Sequence, residues 1–341
     1  MVKARLRICH LAVFLILLAM GVQTVRADSP WRPHDDLFSV SFPTEANGWA
    51  CGRWGTILHT SDGGKTWAAQ HSGTDFTLTG IYFVNEVLGW AVGAEGTILH
   101  TRDGGRTWEK QKSPVPFYHG DVHFVSPLKG WITTEETHIL HTRDGGKSWV
   151  VQFQDNIFRL KAISFADEQH GWAVGEYGFT YGTRDGGETW TRQYGLYEYS
   201  EEIGDYKCGI FLFDVKAIDP QTAVAVGADS LIIMTRDGGS TWRKLDAPVP
   251  PNTHLLGVAA SAGGDIAICG KGVYLFSNDG GASWSPLRFV PTMEYGWLYS
   301  IKGVGENRFA SVGMDGLIYM GSPSESLQQA IYMRGKSENE Q

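Results

Sequence analysis

Six copies of one phrase constrain this chain more than anything else in it. They read SDGGKTW at Ser61–Trp67, RDGGRTW at Arg102–Trp108, RDGGKSW at Arg143–Trp149, RDGGETW at Arg184–Trp190, RDGGSTW at Arg236–Trp242 and NDGGASW at Asn278–Trp284. Their aspartates, Asp62, Asp103, Asp144, Asp185, Asp237 and Asp279, stand 41, 41, 41, 52 and 42 residues apart. A fixed period of that size marks a repeat architecture, and about 40 residues is one four-stranded propeller blade.

Residues 79–111 show what one repeat contains. Gly80–Phe83, Gly89–Gly93, Thr97–Thr101 and Thr107–Gln111 are four short β-rich runs. Gly- and Asp-containing turns separate them, as in a meander. The Asp of the phrase is expected to close its turn by accepting backbone N–H groups two residues on, and the glycines to supply φ values other residues resist. The Trp is expected to point into the gap between blades. A residue needed six times is structural rather than catalytic. One carboxylate per turn also lacks the ligand clustering of a calcium site.

Counting blades gives an all-β, seven-bladed propeller of four-stranded antiparallel blades over residues 28–321. Blade seven shows three strands, ending at Leu317–Met320, with Ser322-Pro323-Ser324 where a fourth turn belongs. Residues 29–34, which carry Trp31, are therefore expected to close the last blade as its outer strand, removing two sheet edges. Residues 322–341 are expected to be a tail.

The first 27 residues read differently. Lys3, Arg5 and Arg7 precede the apolar run Leu11–Met20, and Val25-Arg26-Ala27 offers small residues for cleavage. This is the pattern of a secretory signal peptide, and the run is short for a membrane span. The mature chain is expected outside the cytoplasm, in a periplasm, thylakoid lumen or extracellular space, without a transmembrane segment. Losing Lys3, Arg5, Arg7 and Arg26 leaves 25 of the 29 basic residues against 37 acidic ones, a net charge of −12. That argues against nucleic acid. Three cysteines remain: Cys51 and Cys269 share one repeat position and read as small buried residues, and Cys208 reads as a free thiol.

Strand order places the Asp turns on one face of the ring. The second-to-third turns and the blade-to-blade links lie on the other. That other face carries Glu95, Glu135, Glu176, Asp229 and Asp315, with Arg53 and Lys271 opposed. The longest insert, Tyr194–Cys208, adds Tyr197, Glu198 and Tyr199 beside Tyr177, and the last link adds Tyr295 and Trp297. Aromatic residues in long loops on a rigid scaffold suggest a protein-contact surface. Arg53, Glu95, Glu135, Glu176, Tyr177, Tyr197, Glu198, Tyr199, Asp229, Tyr295, Trp297 and Asp315 are the candidate partner-binding residues. His59, His100 and His141 occupy one repeat position in successive blades, too far apart to share a zinc ion. No metal and no cofactor is expected. Tyr82, His123, Lys216 and Lys302 match on the first strand, near a central channel or in the packing between blades.

The segments GWACG…GTILHTSDGGKTW at 48–67 and GWAVG…GTILHTRDGGRTW at 89–108 resemble the Asp-box (bacterial neuraminidase-type) repeat. More closely, they resemble the propeller family of photosystem II assembly and stability factors. The likeness spans nearly all of residues 29–320. It implies a seven-bladed ring and a non-catalytic scaffold, expected to be monomeric, whose partner is a protein of a membrane complex. The alternative is a carbohydrate-active or carbohydrate-binding propeller, sialidase-like. The arginine-containing signature of sialidases is missing, since Trp31-Arg32-Pro33 is not it.

Overall fold

The structure is a computed structural model. It describes residues 34–155, 158–291, 293, 296–324 and 326–332. The expected signal peptide, Trp31 and Tyr295 lie outside the described residues.

Seven antiparallel sheets are laid down in chain order, each a four-strand meander. The innermost strands are Leu37–Ser41, Leu78–Phe83, His119–Phe124, Leu160–Phe165, Leu212–Ala217, Leu255–Ala260 and Leu298–Val304. Each lies against the innermost strand of the next blade, and the last lies against the first, so the ring is closed. The second strands, such as Gly48–Gly52 and Gly89–Gly93, are buried along their whole length. Sheets buried on both faces read as continuous apolar runs, which is why GWAVG carries no alternation.

The core is divided among the junctions. Trp49, Cys51 and Ile57 of blade one pack with Leu78, Ile81 and Phe83 of blade two. Equivalent clusters fill every other junction, including the one where blade seven meets blade one. Trp49 stacks on Phe83 of the next blade at 3.8 Å between ring centroids, and Trp90 on Phe124 and Trp131 on Phe165 at 3.6 Å. Such pairs add about 0.5–1.5 kcal/mol beyond the area they bury. His59, His100 and His141 stack on the opposite faces of the same tryptophans at 4.5–4.9 Å. Their regular spacing therefore reflects packing.

The Asp box closes its turn, but not by reaching two residues on. In the second blade Asp103 accepts the backbone N–H of Thr107 at 2.9 Å and the Thr107 hydroxyl at 2.6 Å, four residues ahead. Thr101 donates its hydroxyl to Asp103 at 2.8 Å and accepts the N–H of Gly105 at 2.8 Å. The same net recurs at all six boxes, with Ser in place of Thr at residues 148, 277 and 283. Gly104 and Gly105 sit at φ 72° and 82°, in the region that favours glycine. Hydrogen bonds to the ionised form, the Thr107 hydroxyl first, hold the Asp103 carboxyl below its usual range. Ser283 does the same for Asp279, and the Thr241 amide for Asp237. A carboxyl depressed in the folded state contributes stability above its unfolded pKa, about 3.9, and loses it as pH falls through the folded value. These turns should therefore weaken only below about pH 4.

A glutamine at the same period ties each of the first four blades to the box of the next. Gln70, Gln111, Gln152 and Gln193 donate from Nε2 to the carbonyls of Gly104, Gly145, Gly186 and Gly238 in the following blade, at 2.9–3.2 Å. Gln152 also accepts the Trp131 indole N–H at 3.0 Å. Replacing Gln152 with alanine leaves that buried donor unpaired and should cost about 1–2 kcal/mol. The check is a lowered denaturant midpoint with an unchanged slope.

Blade seven corrects one expectation. Its fourth strand is Leu327–Gln329, paired with Ile318–Gly321, so the position assigned to residues 29–34 is already filled from the C-terminal side. Phe289–Val290 adds a parallel fifth strand outside it. Residues Ile331–Tyr332 then pair in parallel with Thr66–Trp67 on the outer edge of blade one. Ring closure is thus made by residues assigned to the tail, and the fold extends to Tyr332.

Candidate functional site

Seven equivalent turns build the face opposite the Asp boxes. At each, the residue after the second strand donates its N–H to the carbonyl before the first strand, from Arg53 to Asp36 through Met314 to Trp297, at 2.9–3.1 Å. The next residue is forced to positive φ: Trp54, Glu95, Glu136, Tyr177, Asp229 and Asp315 all lie at 53–56°. That conformation costs energy for side chains with a Cβ, and such cost concentrates where a side chain must be presented. Trp54 is 61% exposed at its apex. The sequence reading took Glu95, Tyr177, Asp229 and Asp315 from this position, with Glu136 among the acidic turn residues, but missed Trp54. The GWxxG–x–x register was the signal that could have found it.

The insert between blades four and five is a two-stranded hairpin, Tyr197–Ser200 paired with Asp205–Cys208. Its base is aromatic. Tyr197 packs against Tyr177, Phe158 and Tyr206 at 4.7–4.8 Å, and Tyr177 continues the cluster to Phe211 at 5.1 Å. Tyr199 meets Tyr206 at 5.6 Å edge-on and is 57% exposed, and Ile203 at the tip is 56% exposed. Leu196, Tyr206 and Phe211 are exposed as well. Glu198, Glu201, Glu202 and Asp205 surround them, and Lys207 pairs with Glu202 at 3.2 Å. An apolar patch with a polar rim is the anatomy of a contact surface.

The other candidates divide. Glu176 accepts the Arg159 amide at 3.2 Å, and Glu135 pairs with the Arg159 guanidinium at 2.7 Å, so both stand beside the hairpin's base. Arg53 pairs with Asp36 at 3.0 Å, and Asp36 also accepts the Asp315 amide at 3.0 Å. The contact between Asp36 and Asp315 stitches blade one to blade seven. Trp297 lies under Lys271 at 5.3 Å and beside His254, at the junction of blades six and seven. Glu95 and Asp229 stand on separate blades.

The channel holds charge that sequence reasoning located only in part. Its mouth on this face is a cavity of about 300 Å³ bearing Asp121, Lys161, Asp214 and Lys302 with Phe38, Phe213 and Tyr299. Toward the Asp-box side lies a second cavity of about 370 Å³ with Tyr82, His123, Lys216 and Lys302. Asp121 accepts the amides of Val122 and Ile163, and Asp214 those of Val215 and Val258, each linking one blade to the next. Burial drives the Asp214 carboxyl up to about 6. It drives the Lys216 ammonium down to about 8, with Lys302 adding to the effect. The alternation on the innermost strands marks one facing set of residues without saying whether they meet a cavity or a neighbour.

The sequence matches the family described as photosynthesis system II assembly factor YCF48 over residues 28–114, 70–150, 108–195 and 197–332. The chain belongs to that family. Among characterised proteins it is 33% identical, over 109 residues, to the photosystem II assembly lipoprotein Ycf48 of Synechococcus sp. (strain CC9902), a stretch covering 31% of this chain and 32% of that protein. The chain thus aligns with about a third of that relative's length. Among solved structures, YCF48 bound to D1 peptide superposes with a TM-score of 0.67 at 20% identity, covering 86% of this chain and 96% of that one. YCF48 from Cyanidioschyzon merolae gives 0.69 at 20% identity, covering 87% and 98%. A GH74 xyloglucanase from Xanthomonas campestris gives 0.67 at 12% identity, covering 88% of this chain and 54% of that one, a likeness of fold alone.

On this YCF48-family ring four arginines of the Asp-box face are engaged at blade junctions. Arg184 donates to the Gly238 carbonyl at 3.1 Å, Arg236 to Gly280 at 2.6 Å and Arg308 to Gly63 at 3.0 Å. Arg143 pairs with Glu188 of the next box. These cations serve the blade junctions. Cys51 and Cys269 are buried free thiols, and Cys208 is an exposed one at the foot of the hairpin. Among the described residues no group of His, Cys, Asp and Glu could hold a metal ion, and no helix is long and apolar enough to cross a membrane.

Proposed function

We propose that this chain is an exported, non-catalytic assembly factor. It holds an exposed segment of a membrane-complex subunit on the face opposite its Asp boxes. The observation that carries the reading is the hairpin surface formed by Tyr177, Tyr197, Tyr199, Tyr206 and Phe211, aromatic at its base and exposed at its tip. Family membership supports an assembly role. A structural relative bound to a D1 peptide supports a protein segment as the ligand class, and a photosystem II subunit as the client in a photosynthetic organism. The four hairpin carboxylates favour a segment with basic residues around an apolar anchor. The non-catalytic reading is supported by Asp121 and Asp214, whose carboxylates are occupied as acceptors for backbone amides across blade junctions.

The test is an in-cell photocrosslink from position 199, with position 147 on the opposite face as control. Crosslinks to one membrane-complex subunit from position 199 alone are the expected result. Crosslinks from position 147 alone would reverse the face, and silence at both would sink the scaffold role. Tyr199→Ala with Ile203→Ala should lower partner affinity at least tenfold while leaving thermal unfolding unchanged. Export from the basic and apolar leader is checked by sequencing the mature N-terminus, expected just after Ala27.

A further inference from the structure

One level of the channel carries charge that the fold does not consume. The residues at equivalent places on the innermost strands there include Tyr82, His123, Lys216 and Lys302, with Ala259 between the two lysines. Blade six contributes only that methyl group, so no polar side chain stands between the two lysines at this level. Ser41 and Ser164 at the same level are occupied, accepting the Phe83 and Ala217 amides. Burial, with Lys216 and Lys302 nearby, pushes the His123 imidazole well below its usual range.

The balance across the whole channel is uneven. Lys161, Lys216 and Lys302 face Asp121 and Asp214, and both carboxylates already accept two backbone amides. Among the described residues none of the three ammonium groups makes a side-chain hydrogen bond or has a carboxylate within 4.0 Å. Asp214 attracts Lys216 and, with Asp121, Lys302, but no carboxylate reaches either ammonium directly, and ammonium groups repelling one another are costly when enclosed. Asp121 and Asp214 lie toward the other mouth, so the 370 Å³ cavity is lined by cations and neutral donors without a carboxylate. Its size suits a small molecule.

We propose that this half of the channel binds a compact oxyanion of two or more negative charges, held between Lys216 and Lys302 over Ala259, with Tyr82 and His123 facing it. The shared chemistry is that of a polycarboxylate or a phosphate group. A rigid ring of donors suits such a ligand because nothing has to be ordered when it enters. The site is separate from the hairpin and does not depend on the protein-binding reading.

The experiment is calorimetric titration and thermal unfolding of the purified full chain with citrate and with inorganic phosphate, at ionic strength fixed by chloride. Saturable binding with a raised melting temperature is expected. It should weaken at least tenfold in Lys216→Met and in Lys302→Met, and persist in Lys161→Met, whose ammonium lies at the other mouth. Citrate binding without phosphate binding assigns the polycarboxylate source, and the reverse assigns phosphate. Binding should also fade as pH rises through about 8, where Lys216 loses its proton. No response beyond chloride, or an equal response in the Lys216→Met/Lys302→Met double variant, overturns the proposal. Unfolding curves of each variant without ligand confirm that loss of binding is not loss of fold.

Discussion

Replacing His119 with leucine should make the protein more stable by about 1–3 kcal/mol near pH 7, the cost of a buried polar group without normal hydrogen bonds. His119 opens the innermost strand of blade three and is completely buried. Six other blades put leucine there: Leu37, Leu78, Leu160, Leu212, Leu255 and Leu298. Neither ring nitrogen of His119 has a well-formed partner among the described residues, and a backbone contact at Gly96 gives slight relief. Burial lowers its pKa to about 4. An unfolded histidine titrates near 6.5. Between those values the unfolded chain binds a proton that the folded chain refuses, so stability falls as pH falls. At pH 5 the loss reaches about 2 kcal/mol. His119→Leu should therefore gain its largest margin over the parent at pH 5 and a smaller one at pH 7. His123, also depressed, remains in both proteins and cancels from the difference. Denaturant unfolding at the two pH values measures it, and equal margins would refute the burial argument.

Ending the chain after Ser322 should be strongly destabilising. It removes Leu327–Gln329, the fourth strand of blade seven, and Ile331–Tyr332, the link to blade one. Leu327 is fully buried in the cluster with Phe289, Phe309 and Tyr319. Its loss to alanine alone should cost about 3 kcal/mol. The truncation adds the exposed edges of Ile318–Gly321 and Thr66–Gln70, which invite intermolecular pairing. We expect loss of more than about 5 kcal/mol, most of the stability of an ordinary domain, and aggregation on purification. A truncated chain that melts like the parent would show that closure lies elsewhere.

The ring was legible because Asp-Gly-Gly-x-Thr/Ser-Trp announces the same turn six times, and 41 residues returns the chain to the same place. Where blade seven drops that phrase, the sequence falls silent. Leu327–Gln329 has one apolar residue and no Trp, and what makes it a strand is the free edge of Ile318–Gly321, a tertiary fact. The Asp box was placed correctly, yet its acceptor reach of four residues, from Asp103 to Thr107, depends on the conformation of both glycines. Tyr177, Tyr197 and Tyr199 could be grouped because an 11-residue excess in the period flags an insert. Arg53 and Asp315 could not be told from surface charges, since Asp36, which holds both, is remote in sequence from Asp315. Asp121 and Asp214 were missed because alternation alone does not distinguish a channel wall from a packed junction.

The pairing of Ile331–Tyr332 with Thr66–Trp67 also sets an order in time. A chain emerging N-terminus first can lay down blade after blade, since each needs only its predecessor. Blade one alone keeps an uncovered flank until residues beyond blade seven arrive. Its earliest-made blade is then completed only after the seventh, and a chain stalled or clipped before that point is marked as unfinished by the blade it made first.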